Sequence, residues 1–184
     1  MANVLDKVQP KNKEQLKSLI EYAFNHNIYD LNFIVTSKIT DMSWLFGYND
    51  YNFDVSDWDV SNVTNMSAIF YCCKNFNCDL SKWDTSRVKD MHSMFARCEK
   101  FNCDLSYWDV SNVTDMYSMF AFCNKFNCDL SNWDVSNVTN MYFMFGHCKQ
   151  FNFDLSHWNT SKVKDMTDMF TCCNRLTIPN WYKK

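Results

Sequence analysis

Ten cysteines and four histidines are the side chains of this 184-residue sequence best suited to metal, redox or acid–base chemistry. Their spacing decides which chemistry they could do. Cys73, Cys98, Cys123, Cys148 and Cys173 recur at a constant step of 25, and Cys78, Cys103 and Cys128 form a second series with the same step. Thiols set as Cys98-x4-Cys103 could hold zinc, and cysteines one repeat apart are close enough for a disulfide. Yet Phe53 and Phe153 stand at the second series' place in the flanking units. A position that takes either Cys or Phe is an apolar interior position, where free Cys packs as a small hydrophobe. Core thiols with no bound metal are therefore expected, with disulfides and then zinc as the alternatives. Cys72 and Cys172, outside both series, are the expected exposed thiols.

Histidines 26, 92, 147 and 157 have no nucleophile or carboxylate at motif spacing, and there is no Gly-rich phosphate loop or dinucleotide fingerprint. No catalytic residue and no cofactor is expected. Two oxygen-bearing ladders remain, Asn52, Asn77, Asn102, Asn127 and Asn152, and Asp54, Asp79, Asp104, Asp129 and Asp154. Stacked carboxylates could bind calcium. They could equally hydrogen-bond the backbone of bends built without glycine. With only 2 Gly in the chain, calcium-type glycine turns are absent, and the backbone role is the expectation.

Positions that recur so regularly must be placed by a repeated element. Trp58, Trp83, Trp108, Trp133 and Trp158 keep the step of 25, as do Met66 through Met166 and Phe70 through Phe170. The unit reads F-N-x-D-L-S-x-W-D-V-S-N-V-T-x-M-x-x-M-F-x-x-C-x-x. A degraded copy precedes it, Ile39-Thr40-Asp41-Met42 leading to Phe46, one residue short between Phe46 and Phe70. Within a unit, Phe76-Asn77-Cys78-Asp79-Leu80-Ser81 alternates apolar and polar residues like a half-buried strand. Val88, Met91, Met94, Phe95 and Cys98 have the stripe of a short helix, with Ser86 or Ser111-Asn112 at the N-cap place. A strand, a bend at Trp-Asp and two turns of helix per unit are predicted. Neighbouring units must bury what a single one cannot, in columns of Phe, Leu, Trp, Val and Met. Truncating one such Trp or Phe should cost about 3–5 kcal/mol.

Both ends read as caps. Residues 1–29 are assigned to a lead-in and capping helix, with Leu16, Leu19, Ile20 and Ala23 as its stripe. Residues 30–174 are the repeats, and 175–184 a last strand, Leu176-Thr177-Ile178, then a tail in which Pro179 stops pairing and Trp181-Tyr182 fold over the edge. All three belong to one structural domain.

Units such as Phe126-Asn127-Cys128-Asp129-Leu130-Ser131-Asn132-Trp133-Asp134-Val135-Ser136-Asn137-Val138-Thr139-Asn140-Met141, followed by Met144-Phe145 and Cys148, resemble the repeats of the BspA-like leucine-rich repeat surface proteins. The resemblance runs from about residue 30 to the C-terminus, and Asn12 to Lys17 resembles the family's lead-in helix. It implies an α/β repeat, a single right-handed leucine-rich-repeat-like solenoid. It also implies adhesion or protein binding, and surface or virion display, as in bacterial surface proteins, lipoproteins of cell-wall-less bacteria and some large DNA viruses. It brings no catalytic residues.

Formal net charge is -3 with both signs interspersed, so nucleic acid is not an expected partner. No apolar run approaches the ~20 residues of a membrane span. The opening Met1–Lys7 has neither an apolar h-region nor a lipobox cysteine, and the expectation as encoded is a cytoplasmic chain.

Function is then sought where otherwise identical units differ. Asp57, Lys82, Tyr107, Asn132 and His157 vary before the Trp. Ser67, His92, Tyr117, Tyr142 and Thr167 vary after the Met, and Cys72, Arg97, Phe122, His147 and Cys172 vary beside the Cys. Tyr107, Tyr117, Phe122, Tyr142, Phe143, His147 and His157 are the candidate binding residues, as exposed aromatic surfaces often are. The leading expectation is a non-enzymatic protein-interaction module whose protein partner the sequence does not name. The rivals are a structural subunit that self-associates in a coat-like assembly and a thiol- or metal-responsive protein.

Overall fold

The computed structural model describes residues 6–183; of the opening segment Met1–Lys7, expected to hold no leader, residues 1–5 lie outside the described residues. The capping residues 1–29 and 175–184 are likewise described only from 6 and up to 183.

The helix α1, Lys13–Asn25, is the only helix among the described residues. Asn12 caps it, its side chain accepting the N–H of Gln15, and Leu16, Ile20 and Ala23 are buried. Lys13 reaches the carboxylate of Asp41 at 3.1 Å, and the Phe24 ring lies 6.4 Å from Phe46 and 5.6 Å from Phe53. The helix thus lies along the first repeat.

Beyond α1 the expected α/β leucine-rich-repeat-like solenoid of strand-plus-helix units is overturned. Pairing consists of isolated parallel bridges, chiefly Asp41↔Asn65↔Asp90↔Asp115↔Asn140↔Asp165, and no further helix forms among the described residues. Leu176–Ile178 forms no strand either.

The 25-residue period builds a stack of coils made almost wholly of turns. In one coil, i→i+3 backbone bonds close turns at Leu80–Trp83, Thr85–Val88, Met91–Met94, Ser93–Ala96, Phe95–Cys98 and Cys98–Phe101. The stretch that scanned as helix is the run of turns from Met91 to Cys98. Its third residues, Ser93 and Arg97, have φ of 53° and 64°, the left-handed geometry of a type II turn that an α-helix cannot contain. The same pair recurs in every repeat, at Trp44 and Tyr48, Ala68 and Cys72, Ser118 and Phe122, Phe143 and His147, Asp168 and Cys172.

Chain pairing also falls elsewhere than expected. The N–H groups of Met91, Ser93, Phe95 and Arg97 donate to the carbonyls of Asp115, Tyr117, Met119 and Ala121 in the next coil. Four forward bonds of this kind join every successive pair of coils, so the backbone ladder runs through the turn segment. The stretch read as a strand is tied differently: Asn102 and Asn127 each donate their backbone N–H to the side-chain oxygen of the preceding asparagine, Asn77 and Asn102, at 2.8 Å.

Side chains fill the coil in columns. Phe46, Phe70, Phe95, Phe120, Phe145 and Phe170 stack with ring centroids 5.5–5.8 Å apart. Each indole N–H of the column from Trp58 to Trp158 finds a carbonyl in the preceding coil, Trp108 to Leu80 at 3.0 Å for example, so the buried polar atom is satisfied. Phe53 is buried and packs 4.9 Å from Phe76, while Tyr51, which occupies Phe76's place in the sequence, is exposed.

Candidate functional site

The left-handed residues and their neighbours lie on the ladder side of the stack, and that is where the surface aromatics gather. Left-handed backbone costs a non-glycine residue roughly 1–2 kcal/mol. From Trp44 to His147 the N–H of each such residue is a rung of the ladder, which helps hold it there: Phe122 donates to Gly146 and Phe143 to Thr167.

Two rows of rings result. In the first, His92 meets Tyr117 edge-on at 5.4 Å, and Tyr117 stacks on Tyr142 at 5.2 Å with planes 11° apart. In the second, the Arg97 guanidinium sits 4.5 Å over the ring of Phe122, which stacks on His147 at 4.6 Å. Phe143 joins the rows, 5.7 Å from Phe122, 5.9 Å from His147 and 6.1 Å from Tyr142. An open groove of about 290 Å³ runs between them, lined by Arg97, Tyr117, Phe122, Tyr142 and Phe143, with Tyr71 at its edge.

Five of the seven candidate residues, Tyr117, Phe122, Tyr142, Phe143 and His147, therefore form one cluster. Tyr107 and His157 do not join it. Tyr107 is 86% exposed and lines a different groove with Asn102, Cys103, Asp104, Asn127 and Asn132.

Three aromatics that the sequence reading passed over extend the strip. Trp44, Tyr48 and Tyr71 pack on one another with centroids 5.3–6.5 Å apart, and Trp44 and Tyr48 are exposed. The signal was present. Because the first unit is one residue short, Tyr48 precedes Cys72 by 24 and belongs to the variable column of Cys72 and Arg97.

The chain's two glycines serve this strip. Neither has positive φ. Gly47 and Gly146 each follow by three residues the only aromatic side chains in their left-handed column, Trp44 and Phe143. A Cβ on Gly146 would lie 2.5 Å from the Phe143 ring, and one on Gly47 would lie 3.2 Å from Trp44. Glycine is used here to let a ring lie flat on the backbone.

All ten cysteines are free thiols. Those of the first series are buried, each Sγ donating to a carbonyl of the preceding coil, as Cys98 does to Phe70 at 3.0 Å. Burial pushes their thiols up, Cys73 and Cys173 to about 12 and Cys98 and Cys148 well above the ordinary value. In the second series burial likewise raises Cys78 and Cys103 to about 12 and Cys128 to about 11. Cys172 is exposed and Cys72 half-buried.

The aspartate ladder caps turns. Asp54, Asp79, Asp104, Asp129 and Asp154 each accept the N–H two residues ahead, at 2.8–2.9 Å. The backbone hydrogen bond from Ser81, with its hydroxyl, holds Asp79 below the usual carboxylate range, and Ser106 does the same for Asp104. Among the described residues no three His, Cys, Asp or Glu side chains are grouped to hold a metal ion. No helix among them is long and apolar enough to cross a membrane.

A stack of turn-built coils with an aromatic strip along its ladder side defines a repeat protein. The family model described as "Mycoplasma protein of unknown function, DUF285" matches residues 14–123 and again 100–182, and the chain belongs to that family. No curated protein and no solved structure matches the chain.

Proposed function

We propose that this chain is a non-enzymatic protein-interaction module, related through its repeat to the BspA-like surface proteins, that holds a protein partner against the aromatic strip from Trp44 to His147. The observation that supports this reading is the accommodation of large rings on strained backbone. Left-handed positions that other coils fill with Ala68, Ser93 or Ser118 carry Trp44 and Phe143 here, each with a glycine beneath it. A scaffold that needed only to fold would keep the small residue. Strained backbone supporting an exposed feature is a mark of functional surfaces, and aromatic and Arg side chains dominate interface energetics.

Two exposed tyrosines allow the test. Benzoylphenylalanine placed at Tyr48, within the strip, should cross-link one discrete protein in an extract of the source cells. The same probe at Tyr107, outside it, should not. Replacing Tyr117, Phe122 and Tyr142 together by Ser should abolish the adduct while thermal unfolding stays cooperative. Equal labelling from both sites, or an adduct that survives the triple replacement, overturns the reading. An adduct between copies of the chain itself would favour a self-packing structural subunit instead.

A further inference from the structure

We propose a second docking site at the last coil: an open backbone edge that takes a polypeptide segment in parallel, folded into the same run of turns as the inner coils and having the chemistry of this chain's own Asp-Met-x-x-Met-Phe stretch. The five junctions between coils are made in one direction. Residues 42, 44, 46 and 48 donate their N–H groups to carbonyls 65, 67, 69 and 71, and each later coil repeats the arrangement, ending with Met141, Phe143, Phe145 and His147 donating to Asp165, Thr167, Met169 and Thr171. Beside these four, one ladder bond returns per junction, as from Lys89 N–H to the Thr64 carbonyl.

In the last coil the N–H groups of Met166, Asp168, Phe170 and Cys172 have no acceptor among the described residues, and the Lys164 carbonyl has no donor. The N–H groups between them are already used, Thr167 on Asp165 Oδ1 and Met169, Thr171 and Cys173 on the carbonyls three residues back. Asp168 and Cys172 keep the left-handed φ of 55° and 60° found in the paired coils, so the edge is already shaped for a partner. Unpaired backbone donors at every second residue form an edge that another chain segment can pair with.

The surroundings fit such a segment. A groove of about 630 Å³ lies along the edge, lined by Lys164, Met166, Asp168, Thr171, Ile178 and Tyr182. Ile178 is exposed, and Met166 is half-exposed where Met91, Met116 and Met141 are fully buried under the next coil. The tail covers the aromatic columns and borders the edge: Trp181 stacks on Trp158 and donates to the Leu155 carbonyl at 2.8 Å, and Tyr182 packs on Phe170 with its phenol beside the Met169 backbone. The ladder edge stays open beside it.

What covers this edge in the five inner junctions identifies the occupant: one N–H followed by carbonyls at alternate residues, with Met and Phe turned inward. The matching carbonyl edge of a second copy's first coil is not free to serve. Helix α1 packs along it, with Lys13 on Asp41 and Ser43 and Phe24 on Phe46.

The test uses the whole protein, ¹⁵N-labelled, and an N-acetylated synthetic peptide copying Lys89–Cys98 with its cysteine as serine. That peptide carries the one N–H and the four carbonyls that an inner junction supplies. Binding should shift the amides of Met166, Asp168, Phe170 and Cys172 downfield and slow their hydrogen exchange, leaving the exchange of Thr167, Met169 and Thr171 little changed. A scrambled peptide should do neither, and Ile178→Lys should weaken binding. No change at millimolar peptide, perturbation without the alternation, or perturbation centred on Tyr117 and Tyr142 would sink the proposal. Protection of the same four amides in the protein alone, with a dimer in sedimentation, would overturn it in favour of a second copy.

Discussion

Phe143 and Gly146 show how far a single side chain is shaped by its partner three residues away. Elsewhere in the stack the equivalent pairs are Ala68 and Tyr71, Ser93 and Ala96, Ser118 and Ala121, and Asp168 and Thr171. Wherever the first residue is small, the second can carry a Cβ. Phe143 reverses this, its ring lying where a Cβ on Gly146 would be. Gly146→Ala should therefore overpack the strip and cost about 1–3 kcal/mol in urea unfolding. The same substitution in a Phe143→Ser background should cost nothing measurable, because Ser with Ala is the pair that Ser118 and Ala121 already form. Equal costs in the two backgrounds would show that the ring does not rest on Gly146.

At the scale of the element, the asparagine ladder takes over the work of strand pairing in the Phe-Asn-x-Asp-Leu segment. The Asn127 N–H donates to Asn102 Oδ1, and the Asn102 N–H to Asn77 Oδ1. Asn102→Ala removes one acceptor from an exposed rung and should cost about 0.5–1.5 kcal/mol. Asn102→Asp keeps an oxygen in the same place and should lose less in the same unfolding measurement. If both lose equally, the ladder is not a source of stability.

The period, the buried columns and the backbone duty of Asn and Asp were legible in the sequence, because each depends only on which residue recurs where. The kind of element was not. An apolar spacing of 3, 3, 1 and 3 from Val88 to Cys98 suits a helix face, but consecutive i→i+3 turns bring the same residues inward. What separates the two is the sign of φ at Ser93 and Arg97, and neither is a residue that announces left-handed backbone. Of the candidate site, the cluster around Tyr117 and Phe122 was legible as variation between like units. Trp44 and Tyr48 were hidden by the missing residue in the first unit.

For the molecule as a whole, stability must depend on both pH extremes, through opposite kinds of group. Turn-capping aspartates such as Asp79, Asp84, Asp104 and Asp134 are held below their ordinary value by bonds from the serine two residues ahead. A carboxylate with a depressed folded value contributes stability above its unfolded value of about 3.9, and that contribution is lost as pH falls below it. Every coil loses it together, so acid unfolding should be cooperative along the stack. The thiols act in reverse. Burial raises Cys73, Cys78, Cys103 and Cys173 from 9.0 to about 12, so the folded chain holds protons that the unfolded chain releases. Their contribution is complete below pH 9 and is lost as pH rises from there toward 12. Burial of the Tyr71 and Tyr182 phenols adds to the same alkaline limb with the same sign. Urea unfolding from pH 3 to 11 should trace a plateau with two falling limbs. Replacing Cys73 and Cys173 by Ser, whose hydroxyls can still donate to Phe46 and Phe145, should make the alkaline limb shallower and leave the acid limb unmoved. An alkaline limb of unchanged slope in that variant would show that the buried thiol column does not govern stability above pH 9.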